Sequence, residues 1–136
     1  MNKLLVALIT LLIFFSTEKE TTMKLQNAEK ISAQLFEAVQ KNNLILPGKS
    51  ELQLNDEISK LAYEKFGIKK HWHKKIVRFG ENTMLIYNDN PPDRVLQNDD
   101  ILFIDYGIIA EGWEADYART YVLGSDPKKL KLKADV

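Results

Sequence analysis

Two aspartates, Asp105 and Asp116, stand eleven positions apart in "ILFIDYGIIAEGWEADYARTYVLG". The residues around them are mostly β-branched, aromatic or glycine, the composition of a strand, a turn and a returning strand. Side chains alternate faces along a strand, so Asp105 shares a side with Ile101 and Phe103 while Leu102, Ile104 and Tyr106 take the other. On the returning strand Asp116 shares a side with Glu114, Ala118, Thr120 and Val122. With Gly107 and Gly112 bounding the turn, the two carboxylates are expected to face each other across a hairpin. Carboxylates that close repel, and burying them without a partner is costly. Three arrangements answer this. The pair holds divalent cations, which hard oxygen ligands suit; or it is an acid/base dyad sharing a proton; or each Asp faces water and pairs with Arg119 or a lysine. Spacing leaves all three open.

The chain contains no cysteine, which removes disulfides, thiolate metal sites and cysteine nucleophiles together. Lys+Arg and Asp+Glu each number 19 among 136 residues, so net charge gives no reason to expect a polyanionic partner. A local basic cluster, Lys69, Lys70, Lys74, Lys75 and Arg78 around Trp72, has the residue types of a nucleic-acid patch. Without a second basic stripe it is read as a charged edge carrying one semi-buried Trp, and no nucleic-acid partner is expected. No phosphate-binding glycine loop or nucleophile elbow occurs.

The elements that must position the aspartates come before them. From Asn27 to Asn43 the residues Ile31, Leu35, Ala38 and Val39 recur at helical spacing. Past "LILPGKS", Ser50 and Gln53 form a capping-box signature, Leu54, Ile58, Leu61 and Ala62 continue an apolar face, and Gly67 is a stop. Beyond Gly67, "KIVRFG", "TMLIY", "DILFIDYG" and "WEADYARTYVLG" read as strands separated by turn formers. Ser125, Asp126 and Pro127 predict the start of another helix.

Residues 1–22 form a separate unit: Lys3, an apolar run from Leu4 to Phe15 containing Thr10, then a polar stretch. This is the layout of a signal peptide or signal anchor, with no small-residue cleavage pair near Phe15. The run is too short for a hydrocarbon core of about 30 Å. Met23 offers an alternative start. The expected locations are therefore export or membrane attachment through residues 1–22, or the cytoplasm if the chain begins at Met23.

The longer string "DRVLQNDDILFIDYG…EGWEADYARTYVLGSDPKKL" resembles the metallopeptidase family that contains methionine aminopeptidase, aminopeptidase P, prolidase and creatinase, the pita-bread fold. Asp105, Gly107, Asp116, Arg119 and Thr120 match that family's pattern in type and spacing. The two helices, the Pro-Gly turn, "KKHWHKKIVRFGENT" and "NPPDRVLQ" resemble a compact Xaa-Pro peptidase-like type. The resemblance covers residues 23–136.

It implies an α+β fold, the N-terminal half of a pita-bread domain: two helices, then an antiparallel sheet with a metal-facing hairpin. It also implies two divalent ions (Mn, Co, Fe or Zn), with Asp105 a terminal ligand and Asp116 bridging, and Gly107, Arg119 and Thr120 in support. The substrate implied is a peptide with a free N-terminus. The family completes its site with a His and two Glu later in the chain, and after Asp116 these 136 residues contain neither type. Two carboxylates cannot fill the coordination of two ions. The chain is thus expected to be truncated and inactive alone, completed by a missing C-terminal half or a homodimer, or else to be a non-catalytic binding module or gene fragment. His71 and His73 lie ahead of the sheet among lysines and are read as non-ligands. A family His shortly before "DRVL" falls near Asn88 here, which leaves substrate recognition altered.

Overall fold

The computed structural model describes residues 3–135, and its architecture is the α+β arrangement expected: helices on one face of an antiparallel sheet. Helix α1 spans Lys3–Lys41 and α2 spans Glu51–Phe66. The sheet is built from β1 (Lys70–His71), β2 (Ile76–Phe79), β3 (Ile101–Ala110) and β4 (Trp113–Val122). Helix α3 follows at Pro127–Ala134.

The first helix departs from the sequence reading by starting far upstream of Asn27. No Gly or Pro lies between residues 3 and 41, so nothing in the chain interrupts a helix once begun. Only its C-terminal half packs, with Ala28, Leu35, Phe36 and Val39 in the core, while Leu11, Leu12, Phe14 and Phe15 are exposed. Among the described residues no helix is long and apolar enough to cross a membrane.

Helix α2 obeys its caps. The Ser50 hydroxyl accepts from Gln53 N–H and the Gln53 side chain accepts from Ser50 N–H, closing both ends of the capping box. Gly67 ends the helix at φ 67°, a left-handed conformation that costs glycine little. Asp126 caps α3, accepting from the Lys128 and Lys129 N–H groups.

Strand β3 is the axis of the sheet. Along one edge it pairs with β4 over its whole length, and along the other it pairs first with β2 and then with β1. Its burial alternates except at Gly107: Leu102, Ile104, Tyr106 and Ile108 are fully buried against the helices, while Ile101, Phe103, Asp105 and Ile109 are half-buried on the opposite face, where Gly107 is covered. Each large apolar side chain buried this way stabilises the fold by about 1.5–3 kcal/mol. Trp113, Tyr117 and Tyr121 extend the helix-facing side along β4.

The segment "TMLIY" is not a strand. Gly80–Met84 forms a short three-ten helix, and the residues after it are irregular and exposed, Leu85 and Ile86 among them. The reason is remote in sequence. Arg78, buried in β2, donates to the carbonyls of Leu85, Ile86 and Asp89 and thereby replaces the partner strand those groups would need.

Candidate metal centre

The hairpin that carries Asp105 and Asp116 turns on Glu111 and Gly112, not between Gly107 and Gly112. Both turn residues have positive φ, 51° and 84°, as a tight two-residue hairpin turn requires. Gly107 is therefore inside β3, directly opposite Asp116, and Asp105 is opposite Ala118. The two aspartates are diagonal neighbours on one face, near enough for carboxylates to converge.

The structure brings a third group to them. His73 Nε2 lies 3.1 Å from Asp116 Oδ1 and 3.6 Å from Asp105 Oδ1. The three residues together can offer donor atoms that all lie within 4.8 Å of one another. The site grades from inside to outside: side-chain exposure is 10% for His73, 28% for Asp105 and 57% for Asp116. His71 and His73, both read from the sequence as non-ligands, do not share a face. They diverge because the strand ends at His71. His71 packs edge-on against Tyr106, with ring centroids 5.4 Å apart, away from the carboxylates.

Gly107 is the reason His73 fits. A Cβ built there would stand 2.1 Å from His73 Cδ2 and 2.6 Å from Trp72 Nε1, distances that no side chain tolerates. Trp72 holds the loop down by donating from its main chain to Gly107 O at 3.1 Å and from its indole to Ala115 O at 3.3 Å.

Charge in the site is unevenly shared. Burial pushes the Asp105 carboxyl above its ordinary pKa, and Asp116 adds to the rise while His73 opposes it. For His73, burial pulls downward, but the Lys74 carbonyl and the two carboxylates outweigh it and hold the imidazole proton above the usual range. His71 goes the other way: burial, with Lys75 adding repulsion, depresses its pKa.

The neighbouring cations do not compete for the centre. Lys74 Nζ donates to Tyr87 O, Asp89 O and Asn90 Oδ1, and Lys75 Nζ donates to Ser59 Oγ at 2.7 Å. Arg119 belongs to the opposite side of β4, where its guanidinium stacks 3.9 Å from the Tyr117 ring centroid and bonds the Tyr117 hydroxyl. It is not the partner of either aspartate. Thr120 shares the aspartates' face, opposite Phe103, beside a hollow lined also by Ala118, Arg119 and Lys133.

The donor set fits a divalent ion. Ligands bound at about 2.0–2.2 Å to a tetrahedral or octahedral centre lie roughly 2.9–3.5 Å apart. The separation of 3.1 Å from His73 Nε2 to Asp116 falls inside that span, and the 3.6 Å to Asp105 lies just beyond its upper end. Carboxylate and imidazole donors suit Mn²⁺, Fe²⁺, Co²⁺ and Zn²⁺ alike.

Comparison with known proteins agrees with this fold. The model of metallopeptidase family M24 matches residues 23–135, and the chain belongs to that family. Three solved structures are similar to it. Prolidase from Thermococcus sibiricus matches at 26% identity and a TM-score of 0.72, over 84% of this chain and 30% of that one. A dipeptidase from Pyrococcus horikoshii OT3 matches at 28% identity and 0.70, over 82% and 30%. Proline aminopeptidase P II from Yersinia pestis matches at 28% and 0.64, over 76% and 23%. The chain thus spans less than a third of the length of each of these. No curated protein matches it. The fold is part of the pita-bread fold, and the domain is of the divalent-metal-dependent peptidase type.

Proposed function

We propose that residues 23–136 are the metal-binding first half of a peptide hydrolase domain, with Asp105 and Asp116 as ligands to divalent metal. One observation carries this reading: the two carboxylates converge on the open face of the β3–β4 hairpin, where their mutual repulsion calls for a cation. Gly107 leaves the room that His73 occupies beside them, and Thr120 shares their surface. When bound, the metal supplies charge to polarise a peptide carbonyl. The chain's own residues hold that charge in place and, through the buried side of β3, keep the hairpin rigid. The substrate proposed is a peptide with a free N-terminus and proline second, in keeping with the names of the prolidase and proline aminopeptidase that the chain is similar to.

In this reading the 136 residues alone do not hydrolyse peptides, because the remaining ligands come from outside them, whether later in a longer chain or from a partner. Residues 1–22 act as a leader or anchor whose helix runs on into the domain, the alternative being a cytoplasmic protein that starts at Met23.

The test is an assay of the native protein from its source, its intact mass compared with 15.7 kDa, on an Xaa-Pro dipeptide with Mn²⁺, Co²⁺, Fe²⁺ or Zn²⁺. The expected result is hydrolysis that a chelator stops and Asp116→Asn abolishes, and none from the 136-residue chain. Hydrolysis indifferent to chelator and to Asp116→Asn contradicts the reading. A native protein without hydrolysis favours the binding-module alternative.

A further inference from the structure

The His73 ring has a constrained hydrogen-bond pattern. Its Nδ1 lies 2.7 Å from Lys74 O, and a carbonyl oxygen only accepts, so Nδ1 carries the proton. In a neutral ring the lone pair is then on Nε2, the atom that faces Asp116 Oδ1 and Asp105 Oδ1. Ionised carboxylates also only accept. Three acceptors converging on one point need a positive centre among them, which a proton on Nε2 supplies in the metal-free chain and which a metal ion in the proton's place would supply to all three donors at once. Histidines that bind metal commonly present one nitrogen to the ion while the other donates to a backbone carbonyl, which fixes the ring.

The arrangement is built, not incidental. The imidazole is nine-tenths buried, it occupies space that only a glycine at 107 leaves free, and Trp72 stands edge-on to it with ring centroids 4.5 Å apart. The adjacent ammonium groups, which would repel a cation, are bonded to the 87–90 loop and to Ser59.

We infer that His73 Nε2 is a third metal ligand, and that with Asp105 and Asp116 it binds one divalent ion per chain using residues of this half of the fold alone. The inference rests on the reading of the aspartates as ligands. It differs from the resemblance, in which the imidazole ligand comes after the hairpin and a pair of ions is held. Three donors on one side leave the rest of the coordination sphere open, so the 136-residue chain can hold an ion without being able to process a peptide.

The chain has only two histidines, which makes the test direct. The 136-residue chain, labelled with ¹⁵N at histidine, is titrated with Zn²⁺ while the ring nitrogens are followed by long-range ¹H–¹⁵N correlation, and affinity is measured by calorimetry. The His73 Nε2 resonance is expected to move to the coordinated range and saturate at one equivalent, with His71 unmoved. His73→Gln is expected to weaken Zn²⁺ binding at least tenfold, and His71→Gln to leave it unchanged. If His73→Gln does not fold, the resonances of the unaltered chain decide by themselves. Zn²⁺ binding that Asp116→Asn abolishes while His73 stays silent overturns the inference and leaves the aspartate reading standing. No binding, or binding indifferent to Asp116→Asn, overturns both.

Discussion

The two faces of β3 show what burial does to otherwise similar residues. On the closed face, Ile104 and Tyr106 are wholly buried, and the Tyr106 hydroxyl is satisfied by Asn55 O at 2.9 Å. On the open face, Asp105 and Phe103 are only half-buried, and among the described residues the Asp105 carboxylate faces His73, which favours its charge, and Asp116, which opposes it. The two histidines repeat the contrast from two residues apart. His71 faces an aromatic ring and its pKa is lowered by burial, while His73 faces carboxylates that raise its pKa. One face of the strand stabilises the fold; the other gathers two carboxylates and an imidazole where chemistry can use them.

Several substitutions separate these roles, and the largest effect belongs to the closed face. Ile104→Ala is expected to lower unfolding free energy by about 2–5 kcal/mol, read from denaturant curves, without altering the donor set of the centre. Asp116→Asn does the reverse: unfolding of the metal-free chain changes little, and Zn²⁺ affinity falls by about 100-fold or more, against the 10–100-fold typical of losing a group that only supports a ligand. An equal loss of metal affinity in both variants breaks the distinction between the faces.

Gly107→Ala probes the seam between them. The added methyl must displace His73 or Trp72, so a destabilisation of about 1–3 kcal/mol is expected together with weaker metal binding. Glu51 offers a comparison far from the centre. Its carboxylate is buried, accepts from Phe79 N–H at 2.6 Å and from Asn82, and is pushed above its ordinary pKa by that burial. Glu51→Ala, which strands a buried N–H, costs about 1–3 kcal/mol and leaves metal affinity unchanged.

The smallest effect is the pH dependence of the metal-free chain. His71 has a lowered folded pKa, so the unfolded chain binds more protons and stability is lost as pH falls from 6.5 through the folded value. His73 has a raised one, so its contribution is present below 6.5 and lost as pH rises through the folded value. His71→Phe is expected to remove acid-side loss in thermal melts, and His73→Gln to remove alkaline-side loss. The same pH profile in both variants contradicts the opposed assignment.

Much of the fold was legible in local patterns. Ser50, Gln53, Gly67, Asp126 and Pro127 act through neighbours a few residues away, so their capping roles follow from adjacency. The alternation of Leu102 to Ile108 against Phe103 and Asp105 depends only on the period of a strand, and the same period on the returning strand put both aspartates on one surface. What was not legible depends on distant partners. "TMLIY" has strand-forming residues, but Arg78 takes its carbonyls. "KKHWHKK" looks hostile to a cation until Lys74 and Lys75 are seen bonded elsewhere. His73 is 43 residues from Asp116, and no periodicity relates them. One available signal was the Glu111-Gly112 pair, whose turn chemistry sets the register that puts Gly107 opposite Asp116.

The most direct test is a crystal of the chain grown with Zn²⁺, with diffraction recorded on both sides of the zinc absorption edge. The account predicts an anomalous peak between the Asp105 and Asp116 carboxylates on the open face of the hairpin, lost in Asp116→Asn. A peak elsewhere, or none at that position at saturating Zn²⁺, contradicts it.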